Sequence, residues 1–261
     1  MDERHTNLDL YFGEQKQTLE KYIFPLIGKH KKITPGIEVL EIGCGYGGNL
    51  IPFLEFGCKV TGIDIRDESI KFAKENLNRY SEEQLTLIAE DIKTVKGMDK
   101  KFDVIFMKDT LEHIPNHDGL IKMIRKFLKD DGVIFQGFPP WRNPFGGHQQ
   151  MCESKLLSRL PWFHIAPRPI FKGILKLFKE NPSRIEGFLA DVYDTRISIQ
   201  RFKKLVKEND LDILSENLYF INPNYEVKFN LKPRLLAKGL SVPYLRDFYT
   251  TTAYYILGKK E

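Results

Sequence analysis

Two imidazoles, two acids and a glycine-dense turn are the residues of this chain whose types and spacing could do chemistry. The stretch Glu41-Ile42-Gly43-Cys44-Gly45-Tyr46-Gly47-Gly48 places four glycines in six residues, and an apolar helical start, Asn49-Leu50-Ile51, follows directly. Glycine lets the backbone turn sharply and lets a ligand approach main-chain N–H groups with no Cβ in the way. The helix that follows points its partly positive N-terminus at the same place. A nucleotide-like ligand is expected there. Gly43-x-Gly45-x-x-Gly48 matches the dinucleotide fingerprint literally, and Asp64 lies at about the distance of a ribose-binding acid. A second acid, Asp91, closes the run Ala89-Glu90-Asp91. His113, in Leu111-Glu112-His113, and His148, in Gly146-Gly147-His148-Gln149, are candidate general bases, because an imidazole titrates near pH ~6.5.

The elements that must hold these residues alternate between strand and helix. Residues from Asn7 to about His30 read as a helical cap over 1–36, ended by Pro35-Gly36. Strands are predicted at Ile37–Ile42, Lys59–Asp64, Gln84–Ala89, Phe102–Met107 and Val133–Phe138, with Lys129-Asp130-Asp131-Gly132 as the turn before the last. Helices are predicted at Gly48–Phe56, at Asp67–Tyr80 with Asp67 or Ser69 as cap, and at His117–Leu128. Near-continuous apolar strands alternating with helices mean a doubly wound, mostly parallel sheet. Ligands bind such sheets at the C-terminal strand ends, near the switch in strand order. The glycine turn, Asp64, Asp91 and the segment after Met107 all fall there.

Composition sets outer limits. The 261 residues are 42% apolar and 29% charged, with a net charge of +5. That is ordinary for a globular domain and too mild to argue for nucleic acid. Cys44, Cys58 and Cys152 are widely spaced, which argues against a disulfide framework and fits a reducing compartment. None has a CxxC partner, and no metal site is expected. The polar start Met1-Asp2-Glu3-Arg4-His5 lacks an apolar signal core, and no run approaches the ~20 apolar residues that span a bilayer. A cytoplasmic protein of one domain, 1–261, is expected.

The combination E-x-G-C-G-x-G from Glu41, Ile63-Asp64, Glu90-Asp91-Ile92 and Phe102-Asp103-Val104-Ile105-Phe106 through Leu111-Glu112-His113-Ile114-Pro115 resembles the class I S-adenosylmethionine-dependent methyltransferases of the small-molecule "type 11" kind. The matching stretches cover about 37–138. The resemblance implies a Rossmann-like seven-stranded sheet with an antiparallel last strand, Leu211–Ile221 and Thr251–Leu257 forming the terminal pair after a helix at Ile199–Asn209. Between them, Pro223–Phe248 would be a loop with a short helical piece around Arg234–Lys238. S-adenosylmethionine is the implied cofactor. Gly43, Cys44, Gly45 and Gly47 would contact its methionine part through main chain, with Cys44 itself a small packing residue. Glu41 would sit near the ammonium, or instead bind loop N–H groups. Asp64 would accept both ribose hydroxyls, Ile65 would pack on adenine, and Asp91 with the Ile92 N–H would meet the adenine edge. Main chain at Lys108 would lie near the sulfonium, its side chain turned away or meeting a carboxylate. Tyr11 would cover the site or pack in the core. The acceptor would be a small molecule, most simply an oxygen of a sugar, lipid or secondary metabolite. Non-catalytic cofactor binding and a nucleic-acid acceptor are the alternatives.

The segment 139–196 departs from an ordinary loop by its length. From Trp141 to Arg184 it holds eight bases against two acids, with Trp141, Phe145, Trp162, Phe163, Phe171 and Phe178. At ~100° per residue, Ile170, Phe171, Ile174, Leu175, Leu177 and Phe178 share one arc of a helix over Pro169–Glu180, with Lys172, Lys176 and Lys179 opposite. Three readings follow: a lid over the acceptor pocket, a membrane-surface element across 160–180, or a nucleic-acid surface, ranked last.

Overall fold

The computed structural model describes residues 8–188 and 193–260. Asn7, the stretch Met1–His5 and residues 189–192 of the insertion lie outside them. A mixed sheet runs in the order β3-β2-β1-β4-β5-β8-β6-β7. Strands β1 (Glu38–Ile42), β2 (Lys59–Asp64), β3 (Leu85–Ala89), β4 (Phe102–Lys108) and β5 (Leu128–Phe138) are parallel neighbours. Strand order reverses between β1 and β4. Strands β6 (Leu211–Ile221) and β8 (Thr252–Lys259) complete the antiparallel part. An eighth, β7 (Arg234–Leu235), pairs with the edge of β6 where a helical piece was expected, and α9 (Asn224–Phe229) forms where a loop was.

Side chains alternate across the sheet, so each strand feeds two layers. On one face Ile105 and Met107 of β4 join the buried residues of α5 (His117–Phe127) and α8 (Ile199–Glu208). On the other, Val104 and Phe106 join Phe53 of α3 (Leu50–Glu55) and Leu19, Ile23 and Ile27 of the N-terminal cap. Phe106 stacks on its register partner Phe135 with ring centroids 5.0 Å apart. The cap is α1 (Leu8–Thr18), a π-turn over Leu19–Ile23, and α2 (Phe24–Gly28). Pro25 stands in the first turn of α2, where its missing N–H is tolerated.

Two local expectations fail for identifiable reasons. Helix α4 (Asp67–Asn76) has Arg66 at its cap position, so neither Asp67 nor Ser69 caps it; the acids Asp67 and Glu68 favour its first turn through the dipole instead. The turn expected at Lys129–Gly132 is already strand β5. Its charges find partners: Lys129 with Asp103 (2.7 Å), Asp130 with Lys100 (2.8 Å) and Asp131 with Lys31 (2.7 Å).

Candidate functional site

A cleft of about 750 Å³ opens at the C-terminal ends of β1 to β4. Of the residues expected at the site, its walls include Gly43, Asp64, Ile65, Asp91, Ile92, His113 and His148. Tyr11, Glu41, Cys44, Gly45, Gly47 and Lys108 stand outside this lining.

The glycine turn is held rigid from within. Gly43 has φ +76°, and a Cβ there would meet the Thr110 side chain at 2.5 Å, so both conformation and space require glycine. A Cβ on Gly48 would lie 1.8 Å from Gln15 Oε1 of α1, which therefore rests directly on the turn. The N–H groups of Gly43 and Cys44 both donate to the Ile63 carbonyl, that of Gly47 to the Cys44 carbonyl, and that of Gly45 to Asp64 Oδ2 at 2.9 Å. The expectation that these N–H groups face a ligand is corrected: all four close the turn. Asp64 Oδ1 likewise accepts the Arg66 N–H at 2.9 Å. Asp64 Oδ1 also accepts from Arg66 Nε at 3.4 Å, so Asp64 staples the turn to the end of β2 and a further lone pair remains on Oδ2. Asp91 Oδ1 accepts the Lys93 N–H, and Ile65 stands 69% exposed in the cleft wall.

Glu41 is buried beneath the turn. Its Oε1 accepts from Asn49 Nδ2 at 2.9 Å, while Oε2 meets no donor among the described residues. Burial pushes its pKa up to about 8, with the Asn49 bond and Lys108 opposing, so the free protein carries this carboxyl neutral at pH 7. The Lys108 side chain is only 7% exposed, and its Nζ donates to Asp109 Oδ2 at 2.6 Å; burial works against its charge, but the Asp109 partnership outweighs it and the pKa lies above its ordinary value. Its side chain meets a carboxylate of the chain itself. Tyr11 accepts from Gln15 and lies within electrostatic reach of Lys108, Asp109, Glu41 and Arg66; burial raises its pKa. Burial likewise holds the Cys44 thiol well above its ordinary pKa, so it is an inert packing group.

The far wall carries the imidazoles. His113 and His148 come together from segments 35 positions apart, ring centroids 5.0 Å apart at 68°. His148 has φ +52°, a sparsely populated conformation for a residue with a side chain. A buried network fixes that turn. Gln149 accepts from the Gly147 N–H and donates to the Pro144 carbonyl at 2.7 Å, and His164 bonds Gln149 and the Trp141 carbonyl. Burial first, then the His113 charge, lowers the His148 pKa to about 4, so it is a weak base and a steady hydrogen-bond acceptor. His164 is depressed to about 4 as well, and its role is structural.

Glu112 escaped the sequence reading. It is buried, and burial holds its pKa well above the ordinary range. Its signal was adjacency to His113; the insertion reaches the same turn, where Thr195 Oγ1 donates to the Glu112 carbonyl at 2.5 Å. The insertion has its own apolar cluster around Leu157, Phe171, Leu175 and Tyr193, and it adds Met151, Arg184 and Gly187 to the cleft wall. The expected single apolar arc of α6 (Arg168–Leu177) splits: Phe171 and Leu175 are buried, while Ile170 and Leu177 are exposed.

Residues 33–160 match the family described as a methyltransferase domain. Sterol 4-C-methyltransferase of Caenorhabditis elegans is 29% identical over 140 residues, covering 49% of this chain and 42% of that protein. Ubiquinone biosynthesis O-methyltransferase of Pasteurella multocida is 32% identical over 114 residues, covering 38% and 45%. The chain spans less than half the length of these curated relatives. Among solved structures, geranyl diphosphate C-methyltransferase from Streptomyces coelicolor, in complex with Mg2+, geranyl diphosphate and S-adenosyl-L-homocysteine, superposes with a TM-score of 0.55 at 14% identity over 94% of this chain and 82% of that one. The fold is thereby the Rossmann-like one of these enzymes.

Proposed function

We propose that this chain, whose residues 33–160 match a methyltransferase domain, is a class I enzyme that transfers the methyl group of S-adenosylmethionine to an oxygen of a small hydroxylated acceptor. One observation carries this reading: the donor-side acids Asp64 and Asp91 and the imidazoles of His113 and His148 open into the same cleft at the strand ends. Asp64 takes the ribose diol, one hydroxyl on the remaining lone pair of Oδ2 and the other on Oδ1 as the 3.4 Å Arg66 Nε bond gives way. Asp91 takes the adenine amino group beside the Ile92 N–H, and Ile65 covers the ring. With the turn's N–H groups engaged, its carbonyl oxygens and the free Oε2 of Glu41 are what suit the cofactor's ammonium. The methyl then points toward the imidazole wall. Transfer is an in-line displacement: the C–S bond breaks as the O–C bond forms, and the acceptor's proton leaves. Alignment supplies most of the acceleration. Neutral His148 accepts a hydrogen bond from the acceptor hydroxyl and orients it, and the more exposed His113 relays the proton outward.

Calorimetry with S-adenosylmethionine and with its demethylated product tests the reading. Binding of both is expected; binding of neither overturns it.

The insertion serves as a lid in this reading, within a reducing cytoplasm. Ile170 at 55% and Leu177 at 77% exposure, with Lys176 and Lys179 exposed nearby, favour contact of α6 with an anionic lipid surface that presents the acceptor. Cosedimentation with phosphatidylserine vesicles is expected and is weakened in Leu177→Asp. Equal recovery in the supernatant with and without vesicles contradicts the contact.

A further inference from the structure

We propose that Glu112, His113 and His148 form a site for a divalent transition-metal cation at the acceptor end of the cleft, a proposal that rests on the methyl-transfer reading only for its catalytic use. Three observations point to it. The ligand-competent atoms of these three side chains lie within 4.8 Å of one another. Glu112 is 4% exposed, and among the described residues neither of its carboxylate oxygens meets a hydrogen-bond donor. A buried carboxylate without partners is costly unless a cation or further donors complete it. Finally, both imidazoles line an open cleft, so an ion held there remains accessible to substrate.

The donor set selects the ion. Two imidazole nitrogens and one carboxylate oxygen suit zinc, cobalt, iron or manganese, whereas magnesium and calcium prefer all-oxygen surroundings. Metal bonds of about 2.0–2.1 Å put neighbouring ligand atoms about 3.0–3.5 Å apart. The cluster reaches that spacing by contracting at most about 1.3–1.8 Å, within the range of side-chain rotation. Its two halves are fixed independently: Glu112 and His113 on the turn after β4, where the Glu112 carbonyl is bonded by Thr195, and His148 on the turn pinned by Gln149 and His164.

Three protein ligands leave coordination positions open. Facing the cleft, these fit an acceptor with two neighbouring oxygens, such as a vicinal diol or a catechol. A hydroxyl bound to such an ion loses its proton to solvent near neutral pH. The resulting oxygen anion forms the O–C bond as the C–S bond of the donor breaks. Little is then required of a protein base: with the ion bound, the two imidazoles serve as its ligands in place of the acceptor and relay roles they have without it, and Asp109 in the same wall is engaged by Lys108.

The test is a manganese titration of the full chain followed by electron paramagnetic resonance. Loss of the free-ion signal at one equivalent is expected, with reversal by zinc chloride but not by equimolar magnesium chloride. Glu112→Gln and His148→Ala should each weaken manganese binding at least tenfold. S-adenosylhomocysteine affinity by calorimetry serves as the check that each variant is folded. An undiminished free-ion signal in the wild type, or unchanged affinity in both variants, overturns the site. Manganese binding without S-adenosylhomocysteine binding would sustain the site and sink the methyl-transfer reading; the converse would sink only the site.

Discussion

Replacing Glu41 by glutamine should change how stability depends on pH. The wild-type carboxyl is 1% exposed and has a folded pKa of about 8 against an ordinary value of 4.5. The folded state therefore binds a proton that the unfolded state has released, and this group's contribution falls as pH rises from 4.5 through 8. At pH 7 the medium lies about 2.5 pH units above the unfolded pKa, and at about 1.4 kcal/mol per unit the penalty is about 3.5 kcal/mol. Glutamine keeps the shape and an acceptor for Asn49 but cannot ionise. Urea unfolding at pH 5, 6, 7 and 8 for both proteins is the assay. The difference between them should move in favour of the variant by about 3.5 kcal/mol across this range. Parallel profiles would refute the claim that Glu41 is buried and neutral. The same carboxyl reports on the cofactor: an ammonium beside it favours ionisation, so S-adenosylmethionine binding at pH 7 should release close to one proton in the wild type and none in the variant. Calorimetry in buffers of different ionisation enthalpy reads this.

Asp64→Asn removes a charged acceptor from both the Gly45 N–H and the proposed ribose site; S-adenosylhomocysteine should bind about 10- to 100-fold more weakly. Unchanged affinity would confine Asp64 to a structural role. Phe106→Ala empties a fully buried site between Phe53 and Phe135, and unfolding should show a loss of about 3–5 kcal/mol. A loss under about 1 kcal/mol would contradict the packing described. Gln149→Ala orphans the Gly147 N–H and the Pro144 carbonyl, so amide exchange over residues 144–150 should accelerate while the glycine turn stays protected. Equal protection in both proteins would dissociate Gln149 from the placement of His148.

The parallel half of the sheet was legible because its signals are local. Continuous apolar strands, glycines at the first turn and acids at the ends of β2 and β3 each sit within a few residues of what they define. What escaped depends on distant partners. The polar stretch Lys129–Asp131 could be read as strand only by seeing Asp103, Lys100 and Lys31 waiting for its charges. The glycine turn was correctly placed, but its N–H groups are taken by the Ile63 and Cys44 carbonyls and by Asp64, which spacing does not reveal. The apolar arc of α6 was visible, yet only tertiary contact decides that Phe171 is covered and Leu177 is not. His113 and His148 were each singled out by residue type. That they face each other, with Glu112 between burial and the cleft, follows from the path of the insertion.

A crystal structure of the chain grown with S-adenosylhomocysteine tests the central claim most directly. The ribose hydroxyls should lie within hydrogen-bonding distance of Asp64, adenine should rest between Ile65 and Ile92 with its amino group at Asp91, and the sulfur should face His113 and His148. A ligand bound elsewhere, or bound in the cleft with its sulfur turned away from the two imidazoles, would contradict it.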